Sequence, residues 1–431
     1  MNKYTLIVVL SVIFLMGVCS MSFSEIYAGI SRVSINPINQ GLKVQLGGYG
    51  ERQGKPALGT HDETWAKILT LKNDDEYLFI ISLDICHVPW SLVEHTIQKA
   101  ELPFVNQNNV LMMSSHTHAG LEGMSMDERN IVNNPNIGIF DAEVLQYVSS
   151  QIAKGIQESI KTLSPVTFSA GRIATKGLNR NRRHEELPTD PYLTVLRFDK
   201  ENKPWVVFVN FTAHETIMTP NEMLLSAGYP GIIQRTIETF YPGTTCMFSN
   251  GAEGDVAPSG YKGASAWESM ENYGLNLAKL VTDILKDLKP KPISLFKHDV
   301  LWKELPSKKV APDFFKIAGD EYNVSEEMVN AMINQLFPSK APFHFIQIND
   351  CAIVTFPGEP ITEIGMGVKQ KLESQGIKIP VVTSFTNDLI GYILTEKEYQ
   401  QSGYEVTASF YRPQLGETII ATVNELIERN K

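Results

Sequence analysis

The segment Asn109-Val-Leu-Met-Met-Ser-Ser-His-Thr-His-Ala-Gly120 does most to limit what this chain can fold into. An apolar run that reads as a strand feeds directly into an alternating His-Thr-His. Side chains repeat every two residues along an extended chain, so His116 and His118 are expected on one face, able to reach a common pocket. Such a strand has to sit in a sheet whose end opens on a cleft. Imidazole suits Zn²⁺, and zinc with three or four protein ligands and an open position brings the pKa of its water to about 7. A lone His-x-His does not establish a metal site, because such a pair also occurs as ordinary hydrogen-bonded histidines.

The rest of the chain supplies the sheets. Residues 67–71, 77–84 and 109–114 read as β, with the turn signal Asn73-Asp-Asp75 between the first two and a helix spacing over 90–99 before the third. A long amphipathic helix is predicted over 142–163, a strand over 165–173, and a hairpin from 192–198 and 205–211 around Lys200-Glu-Asn-Lys203. Helix 228–241, strand 244–249 and helix 265–288, closed by Pro290, follow. Residues 303–342 carry few strand signals; 321–337 reads as a helix at Met328, Met332 and Leu336, taken here as a plain surface helix in preference to an insertion capping the site. Residues 416–430 form a closing amphipathic helix. The fold class is α/β, mixed sheets with surrounding helices, with no internal repeat and no Pro-rich linker. Motifs fall at strand ends and on the loops after them, where a rigid sheet can present side chains to a shared cleft.

Three further residues stand in such places. His214 ends Phe208-Val-Asn-Phe-Thr-Ala-His214, Glu359 lies in Ile353-Val-Thr-Phe-Pro-Gly-Glu-Pro360, and Tyr392 in Gly391-Tyr-Ile-Leu-Thr395. Taken singly, His214 reads as a hydrogen-bonded residue, Glu359 as a carboxylate at the positive end of a helix dipole, and Tyr392 as core.

Together with Leu46-Gly-Gly-Tyr49, Ile81-Ser-Leu-Asp84, Ser115-His-Thr-His-Ala-Gly120, Gly177-Leu-Asn-Arg180, Asn250-Gly-Ala-Glu-Gly-Asp-Val-Ala-Pro258 and Gly403-Tyr-Glu405, these segments resemble the neutral ceramidase family, in the same order along the chain. That family comprises zinc-dependent amidases that split ceramide into sphingosine and fatty acid. The resemblance implies one zinc per chain held by His116, His214, Glu359 and Tyr392. It implies further that His118, Arg180 and Tyr404 line the reaction centre, holding the substrate carbonyl and stabilising the charge of a tetrahedral intermediate, with zinc-activated water as the attacking group. A surface cation in the Arg-rich run Asn179-Arg-Asn-Arg-Arg-His184 is the other reading of Arg180.

Three departures qualify the expectation. The family places a serine after Gly-Asp-Val, where this chain has Ala257, which excludes a serine nucleophile there. Ceramidases also carry a C-terminal β-sandwich domain, and this chain ends soon after Tyr404, so the catalytic domain alone is expected. The segments His214–Pro220 and Leu225–Pro230 are closer to the bacterial ceramidase-like branch, which leaves a zinc amidase or esterase acting on another small N-acyl or O-acyl compound as the alternative, and a non-catalytic lipid- or glycan-binding relative as the third reading. Metallo-β-lactamase-type hydrolases extend His-x-His to His-x-His-x-Asp-His, and Ala119, Gly120 and Leu121 do not.

Composition fits a globular chain. Thr5–Cys19 is an apolar run after Lys3, followed by Ser20, Ser22 and Ser24: short for a membrane span, it suits a signal peptide over 1–24 with a mature domain over 25–431, secreted or periplasmic, in preference to an uncleaved N-terminal anchor. A formal net charge of −10 argues against nucleic acid and against docking on anionic membranes, so the expected partner is a small lipid-like or N-acyl substrate. Cys86, Cys246 and Cys351 lie among apolar residues and are expected as buried thiols. Asn210-Phe-Thr and Asn323-Val-Ser fit the glycosylation pattern.

Overall fold

Three stretches of the chain fold into one and the same order of elements, which a computed structural model describes for residues 25–431. The expected signal peptide lies outside the described residues. In each unit three antiparallel strands are followed by a helix, a fourth strand parallel to the third, and a closing helix. The first unit contains β1 (Tyr27–Ser34), β2 (Trp65–Asn73), β3 (Glu76–Leu83), α1 (Trp90–Ala100), β4 (Val110–Ser114) and α2 (Ala142–Lys161). The second contains β5 (Thr167–Ala174), β6 (Tyr192–Lys200), β7 (Lys203–Phe211), α3 (Gly228–Phe240), β8 (Thr245–Asn250) and α4 (Ala266–Asp287). In the third, β9 (Phe296–Glu304) is followed by α5 (Glu326–Gln335), β10 (Lys340–Ile348), β11 (Cys351–Thr355), α6 (Thr362–Ser374), β12 (Ile379–Thr383) and α7 (Leu415–Arg429). The sheets share the order fourth, third, second, first, and in each the third and fourth strands are the parallel pair. Resemblance between the units is confined to topology, since any β-branched or long apolar residue can fill a buried strand, and so it leaves no repeat in the sequence.

Strands buried on both faces explain the apolar runs. Along β3, Leu78 and Ile80 point to a core shared by all three sheets, while Phe79, Ile81 and Leu83 pack under α1 and α2. In β7, Val206 and Phe208 enter the same shared core and Val207, Val209 and Phe211 meet α3 and α4. From the third sheet, Ile346, Ile353 and Val381 complete it. The sheets thus surround one apolar centre, with the helices outside. Asp141 caps α2 by accepting from the Glu143 and Val144 amides, and Ser265 caps α4 by accepting from the Glu268 amide.

Polar side chains link the sheets pairwise. Ser82 donates to the Phe248 carbonyl at 2.7 Å, Asn210 to the Val382 carbonyl at 3.0 Å, and Asn387 to the Val110 carbonyl at 2.8 Å while accepting from the Met112 amide at 2.7 Å. Asn210 is fully buried in this role, so the glycosylation pattern at Asn210 is not an accessible acceptor.

Because the third strand of each unit runs antiparallel to the second, the connector between strands one and two lies at the same end as the carboxyl ends of the parallel pair. Nine loops therefore face one end of the molecule, three from each unit. Residues 303–342 depart from expectation here. They hold only the facing ends of the paired strands β9 and β10, in keeping with their few strand signals, but α5 does not lie on the plain surface: Met332 and Leu336 wall the cleft described next.

Candidate metal centre and cleft

Every candidate residue belongs to one of those nine loops. The carboxyl ends of parallel strands are where α/β folds hold ligands. Here His116 follows β4, His214 follows β7, Glu359 follows β11 and Tyr392 follows β12. His116 and His118 do meet, with their Nε2 atoms 3.1 Å apart, but not by strand alternation: β4 ends at Ser114, and His116 adopts φ 60°, a left-handed turn. Such strain is held only where the surroundings fix it. The His116 ring stacks on Phe385 at 3.9 Å, and its Nδ1 lies 2.8 Å from the Cys86 carbonyl. Gly48, at φ 87°, makes room for His118, since any Cβ there would collide with the imidazole.

The short strands Glu359–Pro360 and Tyr392–Ile393 pair in parallel with Glu359 opposite Tyr392, which sets the carboxylate beside the phenol. Nε2 of His116 and Nε2 of His214 lie 2.9 Å apart, Glu359 Oε2 is 3.6 Å from His214 Nε2, and the Tyr392 hydroxyl is 3.5 Å from the same nitrogen. A carbonyl beside each Nδ1, Cys86 for His116 and Glu253 for His214, takes a proton there and leaves the two Nε2 lone pairs facing one another. Two facing lone pairs repel without a cation between them, and Glu359 Oε2 is buried with no hydrogen-bond partner. Burial holds His116 neutral, down at about 3, and keeps His214 well below its usual value. Burial also pushes Glu359 up to about 7, against the pull of Tyr392 and Arg182. Neutral imidazoles, a carboxylate and a phenol meeting in a buried place are the donor set of a catalytic divalent metal site, and these residues fit such an ion. His116, His214 and Glu359 place their donor atoms within 4.8 Å of one another. Cys86, His116 and His118 form an overlapping group. It suits a metal less well, because burial keeps the Cys86 thiol protonated and the His116 nitrogen nearest it, at 3.9 Å, already faces a carbonyl.

One expected residue is misplaced. Arg180 pairs with Ala257 across two short strands and is exposed, outside the cleft walls. That strand ends at Asn181, which is tied to Asp255, and the bend beyond it turns Arg182 inward. Arg182 donates to the Tyr392 hydroxyl at 2.9 Å, to the Gly254 carbonyl at 2.8 Å and to Glu405 at 2.9 Å. Burial alone would lower this guanidinium, but Tyr392, Glu405 and Glu359 hold it above its usual value, so it stays a fixed cation against the phenol. The Asn-Arg-Asn-Arg run carried the signal for either arginine, and only the end of the strand selects between them. The Tyr404 ring lies 6.0 Å from Tyr392 on the cleft wall. Cys86, Cys246 and Cys351 are buried free thiols, as expected.

The cleft above these groups encloses about 950 Å³ of empty space, part of it open to solvent. Polar groups gather at its floor, and its upper walls are Met124, Met332, Leu336, Phe337 and Phe410.

A mixed α/β frame with an imidazole–carboxylate–phenol cluster at the carboxyl ends of three parallel strand pairs, under an apolar-walled cleft, defines a class of lipid-scale, metal-competent site. The chain belongs to the neutral/alkaline non-lysosomal ceramidase family, whose N-terminal model matches residues 39–271, more than half of the chain. It is 24% identical to the neutral ceramidase of Pseudomonas aeruginosa over 220 residues, which is 47% of this chain and 32% of the relative; the match thus spans about a third of that relative's length. The crystal structure of neutral ceramidase from the same organism superimposes with a TM-score of 0.77 at 18% identity, covering 94% of this chain and 75% of that one. A ceramidase structure described as complexed with C2 gives the same TM-score, covering 94% and 76%. At this identity the superposition speaks for the fold, and the mixed α/β reading stands.

Proposed function

We propose that this chain is a zinc-dependent hydrolase of N-acyl amide bonds in lipid-like substrates of the ceramide kind. The observation that carries this reading is the convergence of His116, His214, Glu359 and Tyr392, from loops of three separate units, on one buried point beneath an apolar cleft. Zinc, when bound, supplies a Lewis acid that polarises an amide carbonyl and brings the pKa of water to about 7. Arg182 keeps the Tyr392 phenol oriented and its charge compensated. His118, held by Gly48 and by Glu215, which accepts from the His118 amide at 3.2 Å, offers an imidazole beside His116 to exchange a proton with the reacting groups. Tyr404 places a phenol donor on the wall where charge on a carbonyl oxygen would develop. The apolar walls take the hydrocarbon and exclude water. Ala257, a methyl 8% exposed, offers no nucleophile. The family relationship supports the amide-hydrolase class, and the apolar walls support an acyl substrate.

Export through a signal peptide over residues 1–24 belongs to the same proposal. Among the described residues no helix is long and apolar enough to cross a membrane. Purified protein given zinc and a panel of N-acyl sphingoid bases, N-acyl amino acids and simple esters is expected to release fatty acid from the N-acyl sphingoids fastest. Hydrolysis restricted to esters, or none at all from fully zinc-loaded protein, would overturn the reading.

A further inference from the structure

We propose that the connector between β9 and β10, residues 305–339, is the element that selects acyl length, receiving the hydrocarbon tail of the substrate and ending it against Leu336, Phe337 and Phe410. The proposal rests on the N-acyl hydrolase reading and deepens it. The corresponding connectors of the other two units serve the polar floor of the cleft: residues 35–64 contribute Gly48, Tyr49 and Gly50 to its lining, and residues 175–191 hold Arg182 behind it, against the Tyr392 hydroxyl. Among the described residues, the third connector supplies almost only hydrocarbon. Phe314, Val324, Met332, Leu336 and Phe337 from it line the cleft, and its one hydroxyl there, on Tyr322, meets the Tyr404 hydroxyl at 3.0 Å. Polarity therefore falls from floor to cap, as it does along an amphiphile whose single reacting amide sits at the head of a long tail.

The cap is tied down at several points and is therefore a wall. Asn134 donates to the Tyr322 carbonyl at 2.9 Å, the Lys309 amide to the Phe410 carbonyl at 3.0 Å, and the Tyr411 hydroxyl to the Pro338 carbonyl at 2.6 Å. Phe337 stacks on Phe410 at 4.3 Å. Leu336 is 2% exposed and Phe337 4%, so the far end of the apolar arm is backed by packed core. A tail gains shelter with each methylene until it reaches that backing, and gains nothing beyond it. Burial of one methylene improves binding about fourfold.

The test is calorimetric titration of the zinc-loaded protein with saturated fatty acids from six to sixteen carbons, run beside hydrolysis of N-acyl sphingosines of the same lengths. Wild-type affinity is expected to rise about fourfold per methylene to a break length and then level off. Phe337→Leu should move the break to longer chains and Met332→Trp to shorter ones, with the hydrolysis profile shifting alike. A break that stays put in both variants, each with an unchanged melting temperature, overturns the cap's role even if hydrolysis is intact. If one variant fails to fold, the other decides alone. A break that moves as expected with no hydrolysis of any N-acyl substrate supports the cap and contradicts the amide-hydrolase reading instead.

Discussion

Arg182 and Arg180 are two residues apart and are expected to behave oppositely. Removing a cation that holds a phenol at the reaction centre costs on the order of 10²-fold in turnover, so Arg182→Ala should lose that much in kcat at unchanged fold, whereas Arg180→Ala, exposed opposite Ala257, should stay near wild type. Steady-state kinetics of both variants decide it, and equal losses would return the role to Arg180. Ala257 leads to a second expectation. Serine-directed fluorophosphonates should leave activity intact, and recovery of a labelled side chain by mass spectrometry together with inactivation would show a nucleophile elsewhere. At this scale the sequence was most legible where a residue sits in a rigid motif. His116, His214, Glu359 and Tyr392 meet because each follows a buried strand; those before His116 and His214 could be read from the sequence, whereas β11 and β12 were not, and Glu359 and Tyr392 joined the set through the family resemblance. Arg182 was not legible, because its direction depends on where a three-residue strand ends.

The helices expected over 142–163 and 265–288 agree with α2 and α4 to within two residues, and both begin at a side-chain cap, Asp141 and Ser265. Strand β9 could not be read in this way. Its residues are only half-buried, and Lys297, His298, Asp299 and Lys303 interrupt any alternation, so it forms because β10 lies beside it. The capping position of α5 was hidden for a similar reason: Met332 and Leu336 are the same stripe whether they face a core or a cleft. The β9–β10 pair carries its own pH signature. His298 Nε2 lies 3.1 Å from His344 Nδ1. Burial, against the pull of Asp299, holds His298 down at about 4, and burial with the neighbouring His298 keeps His344 well below its usual value. Folded, both stay neutral where the unfolded chain takes up protons. Their contribution to stability is therefore complete above about pH 6.5 and is lost as pH falls towards 4. Urea midpoints measured from pH 7 to 4 should fall, and His298→Phe should soften the slope by up to one proton; a variant as steep as wild type would show that the pair is not the source.

Over the whole molecule, three units of the same topology share one apolar centre and one functional end, an arrangement that no stretch of sequence announces because it repeats in topology alone. Two consequences follow from the shared centre. Thermal unfolding of residues 25–431 should be a single cooperative calorimetric transition, and separable transitions would mean that the units are energetically independent. Asn387→Ala leaves the Met112 amide and the Val110 carbonyl buried without their partner, so it should cost about 2–4 kcal/mol by urea denaturation while removing no group from the cleft. The central claim is that loops from all three units together build one metal site. Anomalous diffraction at the zinc edge from crystals grown without chelator tests it most directly: the account expects a single peak enclosed by His116 Nε2, His214 Nε2, Glu359 and the Tyr392 hydroxyl, absent in His214→Ala. No peak there in zinc-loaded wild type, or a peak held instead by Cys86 and His118, would contradict it.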